Sequence, residues 1–285
     1  MSEEQLIAEA ILQLKQESNI LKDYIFPIII ALFSSFFGAL LGYFVFHRQE
    51  KIVLEKRKLD TVNKWLLLAN EIHQSLIAIK FNYYNNLCND PLKRFFAIPF
   101  IILEDKSYSF PYHELAFISS SSPSKWNNIP NLLLLFSNYS SVIKMLQTRN
   151  ESSEKIKKEI LNKRESNRAS ININCQEISQ IADLSELARV IDLSEGLIVL
   201  IDDLIIEFYE FLQEFPEVAK QKINLKLIKG YGSILTHKPN DKAEFQSILK
   251  RSPLPDYKKL SSIWELDEEE LMARYRPLFD SKNNG

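Results

Sequence analysis

His47, His73, His113 and His237 are the only histidines in the chain, and a zinc site built on one helix needs two of them about four residues apart. No two share that spacing. His113-Glu114 opens like HExxH, but Phe117 stands where the second ligand is required. Asp203, Glu207, Glu210 and Glu214 stack on one helical face, as the carboxylates of a di-iron site do. That chemistry also needs Glu-x-x-His on facing helices, and no histidine follows at the offset. The face therefore reads as solvated, or as the electrostatic match of a basic face formed by Lys155, Lys157, Lys158, Lys163, Arg164 and Arg168. Exposed pairs of that kind contribute about 0–1 kcal/mol each.

Nucleotide and nucleophile signals are missing too. Gly230-Tyr231-Gly232 lacks the preceding strand and the third glycine of a dinucleotide turn, and no GxxxxGK[ST] occurs. No serine stands in GxSxG or beside a histidine base. Cys88 and Cys175 form no CxxC pair and read as ordinary thiols of a reducing compartment. The sequence thus predicts no catalytic residue, no cofactor and no metal. An enzyme of unfamiliar type would show itself as perturbed carboxylates or histidines gathered in a deep pocket.

The elements that would position any site begin with an apolar run. Tyr24 to Phe46 contains 23 residues without one charge, and at about 1.5 Å per residue it covers a hydrocarbon core of roughly 30 Å. It reads as a single transmembrane helix in contact with the lipid bilayer. A cleaved signal peptide is disfavoured, because a basic n-region is absent and the run is longer than an h-region. The N-terminal flank is mainly acidic, with Glu3, Glu4, Glu9, Glu17 and Asp23, whereas Arg48, Lys51, Lys56, Arg57 and Lys58 follow the span. The positive-inside rule then puts residues 1–23 outside and the rest in the cytosol, as expected for an inner-membrane protein. The same basic residues are candidates for contact with anionic headgroups. With a net charge of −2 and a pI near 6.2, nucleic acid is not an expected partner.

Within the span, Ser34, Gly38 and Gly42 place small residues on one stripe, including a GxxxG. Such a stripe lets two backbones approach closely and is the candidate surface for a homodimer or higher oligomer; chance occurrence is the bland reading. Before the span, Leu6, Ile7, Ala10, Ile11 and Leu14 have helical spacing, which fits either a short amphipathic helix or a weakly structured segment.

From 47 to 90 the pattern predicts a helical stalk continuous with the span. Ile52, Leu59 and Leu66 repeat at seven, with Val62, Ala69 and Leu76 at the offset d position, while Glu55 and His73 interrupt the seam. A coiled coil and a helix packed on its own domain fit equally. Residues 91–229 read as a cytosolic helical domain. Pro91 ends the stalk, and the aromatic, β-branched run near 94–110 suggests one small β-hairpin. Pro130 opens a helix towards Gln147, a charged stretch follows to Arg168, and a long amphipathic run covers Gln176 to Phe215, with Gly196 as a candidate kink. Asp202 and Asp203 argue against a second span over Leu197–Ile206. From Pro216 the helical pattern weakens, and 230–285 reads as a looser C-terminal extension. Its final piece, with Trp264, Leu271 and Tyr275, suits a helix that docks in a partner's groove; capping its own domain is the simpler role and the favoured one.

The fold class expected is therefore mainly α, with one N-terminal transmembrane helix, a stalk and a helical domain carrying a hairpin. In topology alone this resembles the many single-pass bacterial inner-membrane proteins with a helical cytosolic domain. The function expected is a non-catalytic, oligomeric interaction module that binds a cytosolic protein partner. The alternative is a membrane effector, of the kind found in phage-defence systems, that clusters on activation and depolarises the membrane.

Overall fold

In the computed structural model the chain divides into two compact units, 1–57 and 58–285. The structure describes residues 2–16, 20–102, 110–120, 124–167, 183–240 and 242–278, and among these every regular element is helical.

In the first unit, α1 (Glu3–Gln16) carries Glu3 and Glu4 in its first turn, where carboxylates complement the helix dipole. Its Leu6, Ile7 and Ile11 are all exposed. A short π-helical turn, Leu21–Ile25, leads into α2 (Phe26–Phe81). Pro27 follows directly on that π-helical turn, where Phe26 N–H bonds the Leu21 carbonyl, and lacks the N–H that would continue the ladder. From Phe26 to Phe46 every residue is exposed except the half-buried Leu40. Among the described residues this is the one helix long and apolar enough to cross a membrane.

In the second unit, hereafter the body, the later part of α2 buries Leu59, Val62, Trp65, Leu66, Ala69, Ile72, Leu76 and Ile79. In heptad terms these are the a and d positions together with g. A stripe that wide is the core face of a globular helix, whereas a two-stranded coiled coil buries a and d alone. Of the two readings left open by the heptads, packing on its own domain is the one adopted here. Trp65 meets Phe136 edge-on with ring centroids 4.9 Å apart, and Tyr139 donates to Ser75 Oγ at 3.3 Å. Both partners lie on α4 (Ile129–Asn167), a single helix through what had been split into a helix and a charged stretch.

The hairpin expected near 94–110 is a correction. Pro91–Ala97 is helix α3, 98–102 belongs to no regular element, and 103–109 lie outside the described residues. The start signal is local: the Asp90 carboxylate accepts from the backbone N–H groups of Leu92 and Lys93 at 3.1 and 3.3 Å, with Pro91 at the first helical position. The β-propensity of Phe95, Phe96 and Ile98 is outweighed by this cap and by a second cap that α4 supplies at the other end.

Helix α5 (Leu184–Lys220) packs along α4 and continues through Pro216, where the sequence pattern weakens, to Lys220. A Cβ on Gly196 would stand 3.3 Å from Met145 Cε, so this glycine marks the close approach of α5 to α4. The run Leu197–Ile206 is core: Leu197, Ile198, Ile201, Leu204 and Ile205 are at most 2 % exposed. Three short helices, α6 (Ala243–Leu249), α7 (Tyr257–Trp264) and α8 (Glu268–Arg274), complete the described chain.

Candidate functional site

The largest assembly of ionisable groups in the body surrounds Asp202 and Asp203 on α5. Both face inward because the apolar positions beside them, Ile201, Leu204 and Ile205, are core. Lys80 Nζ lies 2.7 Å from Asp202 Oδ1 and also donates to the Lys250 carbonyl at 2.5 Å. The other oxygen of Asp202 accepts the Ser252 N–H at 2.5 Å. Asp203 pairs with Arg251 and accepts the Leu278 N–H at 2.7 Å. Two turns earlier on α5, Glu195 is held by Arg94 Nε at 2.7 and 3.0 Å, while the same guanidinium reaches the carbonyls of Cys88 and Pro253 at 3.1 and 2.6 Å.

The result is an ionic clasp. Three cations and three carboxylates tie residues 250–253 and 278 to α5, α3 and the end of α2. Lys80, Arg94, Glu195, Asp202 and Asp203 are each at most 4 % exposed. Burial pushes the Glu195 carboxyl above its usual value against the pull of Arg94, and it raises Asp203 against the pull of Arg251. The adjoining cavity, lined by Arg94, Asp202, Ser252 and Tyr275 among others, measures about 40 Å³. That volume has room for a water molecule and none for an organic substrate. The charged atoms face one another, and the Ser252 hydroxyl donates to Asp202 Oδ1 at 3.2 Å, so the geometry is that of a clasp.

Arg149, fully buried on α4, has no carboxylate among its hydrogen-bond partners in the described residues. Its guanidinium donates to the carbonyls of Phe95 and Ile98 at 2.7 Å each and of Pro99 at 3.2 Å, and to Ser194 Oγ at 3.2 Å. It therefore caps the C-terminal end of α3, where free carbonyls and the helix dipole favour a cation. Desolvation lowers its pKa to about 10, which leaves it charged at neutral pH. Lysine cannot reproduce the planar fork. Arg149→Lys is expected to destabilise the body by about 1–3 kcal/mol, the cost of leaving buried carbonyls without donors. An unchanged midpoint in urea unfolding followed by circular dichroism would remove the capping argument.

Among the described residues the acidic ladder of α5 has partners other than the basic run of α4. Glu207 and Glu210 share Lys125 at 2.9 and 2.6 Å, Trp126 Nε1 donates to Glu214 at 2.7 Å, and Asp203 has Arg251. Lys125 and Trp126 come from a short 3-10 turn, Lys125–Asn127. Lys158 pairs with Glu154 on its own helix at 2.9 Å; the side chains of Lys163, Arg164 and Arg168 lie outside the described residues. Burial raises Glu207 above the usual carboxylate range, with Lys125 opposing. Among the described residues no group of three or more His, Cys, Asp and Glu side chains is placed to hold a metal.

Tertiary structure pairs two histidines that the sequence separates by 164 positions. Gly230, at φ +88°, turns the chain out of the body. The following segment is pinned along α2: Tyr231 donates to Asp60 at 2.8 Å, and Asn63 bonds both Ser233 and Leu235. This brings the His237 ring within 6.2 Å of His73, with Tyr209 6.0 Å and Phe245 6.3 Å from His73. His73 is fully buried, and burial, reinforced by His237 and opposed by the backbone of Ile205, takes its pKa down to about 4. Burial lowers His237 as well. Beside the pair opens a cavity of about 380 Å³.

The remaining candidates are dispersed. His47 bonds Tyr43 at 2.9 Å, and Glu114 pairs with Lys64 at 3.2 Å. Cys88 is a half-buried free thiol; Cys175 lies outside the described residues. Ser34, Gly38 and Gly42 are exposed, and a Cβ on either glycine would meet nothing within 4 Å. Arg48, Lys51 and Arg57 are exposed, Lys56 and Lys58 half-buried, and Lys58 Nζ lies 5.8 Å over the Phe117 ring. Leu271 and Tyr275 are buried in a core cluster with Phe95, Ile191 and Leu260, and Trp264 packs against it half-buried. Tyr275 donates to Asp192 at 2.7 Å. In this structure these residues cap their own domain. The clasp and the cavity were missed because each needs residues more than a hundred positions apart. The nearest signal was Asp202-Asp203 inside an apolar run, since such charges need buried partners.

No protein-family model, curated protein or solved structure matches this chain.

Proposed function

We propose that the chain is a single-pass inner-membrane protein, N-terminus outside and body in the cytosol, that acts as a non-catalytic interaction module. One observation carries the anchoring: the large apolar side chains between Phe26 and Phe46 are exposed all round the helix, apart from half-buried Leu40. Water does not tolerate a surface of that kind, and hydrocarbon does. The basic residues from Arg48 to Lys58 favour cytosolic retention of the following chain. Ser34, Gly38 and Gly42 offer the close-packing stripe for self-association, and the body is the part that meets a protein partner. In support of a non-catalytic body, Lys80, Arg94, Glu195, Asp202 and Asp203 are engaged in ion pairs with one another and with Arg251.

Replacing Gly38 and Gly42 together by isoleucine is expected to lower the signal of a membrane two-hybrid assay several-fold, since two added side chains hold the backbones apart. Body stability should be unchanged. An undiminished signal sinks association through the stripe. Orientation is tested separately by labelling Ser2→Cys in intact cells with a membrane-impermeant thiol reagent; no labelling reverses the topology. Loss of membrane potential when the chain is induced would replace the module by the effector reading.

A further inference from the structure

We propose that the 380 Å³ cavity formed by α2, α5 and the segment after Ser233 is a binding site for a medium-chain carboxylate, an unbranched alkyl acid of the octanoate type. The volume falls within the roughly 300–1,000 Å³ of small-molecule sites. Its lining divides by chemistry. Leu66 and Leu67 from α2, Leu212 from α5 and Leu235 supply an apolar trough for an alkyl stem. Asn70, Thr236, His237 and Lys238 supply the polar end.

Two features select a carboxylate head. First, one polar atom at this end is buried and unpaired: His237 Nε2 has no hydrogen-bond partner among the described residues, while Thr236 and Lys238 stand exposed at the mouth. A buried polar atom left unpaired costs free energy that a ligand recovers by bonding it. Second, the sign of charge is one-sided. Among the described residues no Asp or Glu lines the cavity, and both histidines stay neutral near pH 7 because burial lowers them, so the formal charge these residues offer a ligand is the Lys238 ammonium. A carboxylate accepts from an ammonium, an amide, a hydroxyl and a ring N–H at once. The four leucines exclude a bare anion such as acetate as the preferred occupant, because it would leave the trough wet.

The test is calorimetric titration of the full chain, held in amphipol so that no detergent competes, with octanoate, 1-octanol and acetate. Octanoate is expected to bind saturably at one site, octanol at least tenfold more weakly and acetate undetectably. Lys238→Met, at an exposed position, should weaken octanoate at least tenfold and leave octanol unchanged. Thr236→Trp, also at an exposed position, should fill the mouth and abolish binding of both, with the thermal unfolding midpoint of each variant serving as the folding check. Equal affinity for octanoate and octanol, equal binding by Lys238→Met and the parent, or a merely linear isotherm matched by Thr236→Trp would each overturn the proposal. None of these readouts depends on whether the chain dimerises or which way it faces.

Discussion

Replacing Arg94 by leucine is expected to lower the unfolding free energy of the body by about 3–5 kcal/mol, the cost of stranding a buried carboxylate. Glu195 is 1 % exposed, so the stranded carboxylate would have almost no contact with solvent. The loss should be far smaller in the double variant Arg94→Leu, Glu195→Leu. Removing both charges also removes both desolvation costs, and the coupling between such neighbours is about 0.5–3 kcal/mol. About 1–2 kcal/mol of destabilisation should persist there, since the carbonyls of Cys88 and Pro253 lose their shared donor. Urea midpoints of the two single variants and the double variant measure the coupling directly. Additive losses would mean that the pair does not act as a unit, and the clasp would then be a set of independent contacts.

The second large effect depends on pH. His73 has a folded pKa of about 4 against an ordinary value of 6.5. The unfolded chain therefore takes up the proton first as pH falls, and stability follows the side with fewer bound protons. The contribution of neutral His73 is fully present above pH 6.5, declines as pH drops through the window from 6.5 to about 4, and levels off below it. The total is about 3 kcal/mol. Glu195, Asp203 and Glu207 act in the opposite sense: their folded pKa values are raised, so acidification favours the folded state through them. The effect of His73 is isolated by comparison with His73→Phe, which keeps the ring among Tyr209, His237 and Phe245 but cannot be protonated. The difference in unfolding free energy between pH about 7 and about 4.5 should be smaller in the variant by about 2–3 kcal/mol. Identical acid sensitivity in the two proteins would show that His73 is protonated in the folded state.

How far each feature could be read from the chain follows from the range of the interaction behind it. The apolar run and the amphipathic faces of α2, α4 and α5 are periodic and local, and they are recovered as helices. Within the body, the seam positions Leu59, Val62, Leu66, Ala69, His73 and Leu76 reach the core, and Trp65, Ile72 and Ile79 widen the face. The hairpin failed because the composition of 94–102 argues for strands, while Asp90-Pro91 caps a helix start and Arg149, far along the chain, caps its end. The cap at Asp90 was readable, and the cap from Arg149 was not.

The acidic face of α5 shows the same limit. Periodicity places Asp203, Glu207, Glu210 and Glu214 on one face, but solvent, α4, or the Lys125–Asn127 turn with Arg251 were equally compatible neighbours. Burial of Asp203 and Glu207 depends on which one arrives. By itself, the sequence determined that the chain is helical, that one uncharged helix is long enough to cross a bilayer, and which faces of the others are apolar, because each follows from spacing along one segment. Only the tertiary structure decided that His73 meets His237, that Lys80 and Arg94 neutralise Asp202 and Glu195, and that Leu271 and Tyr275 lie in the core. Those pairings are selected by shared desolvation among groups far apart in the chain, and no local pattern encodes which buried charge a distant partner will satisfy.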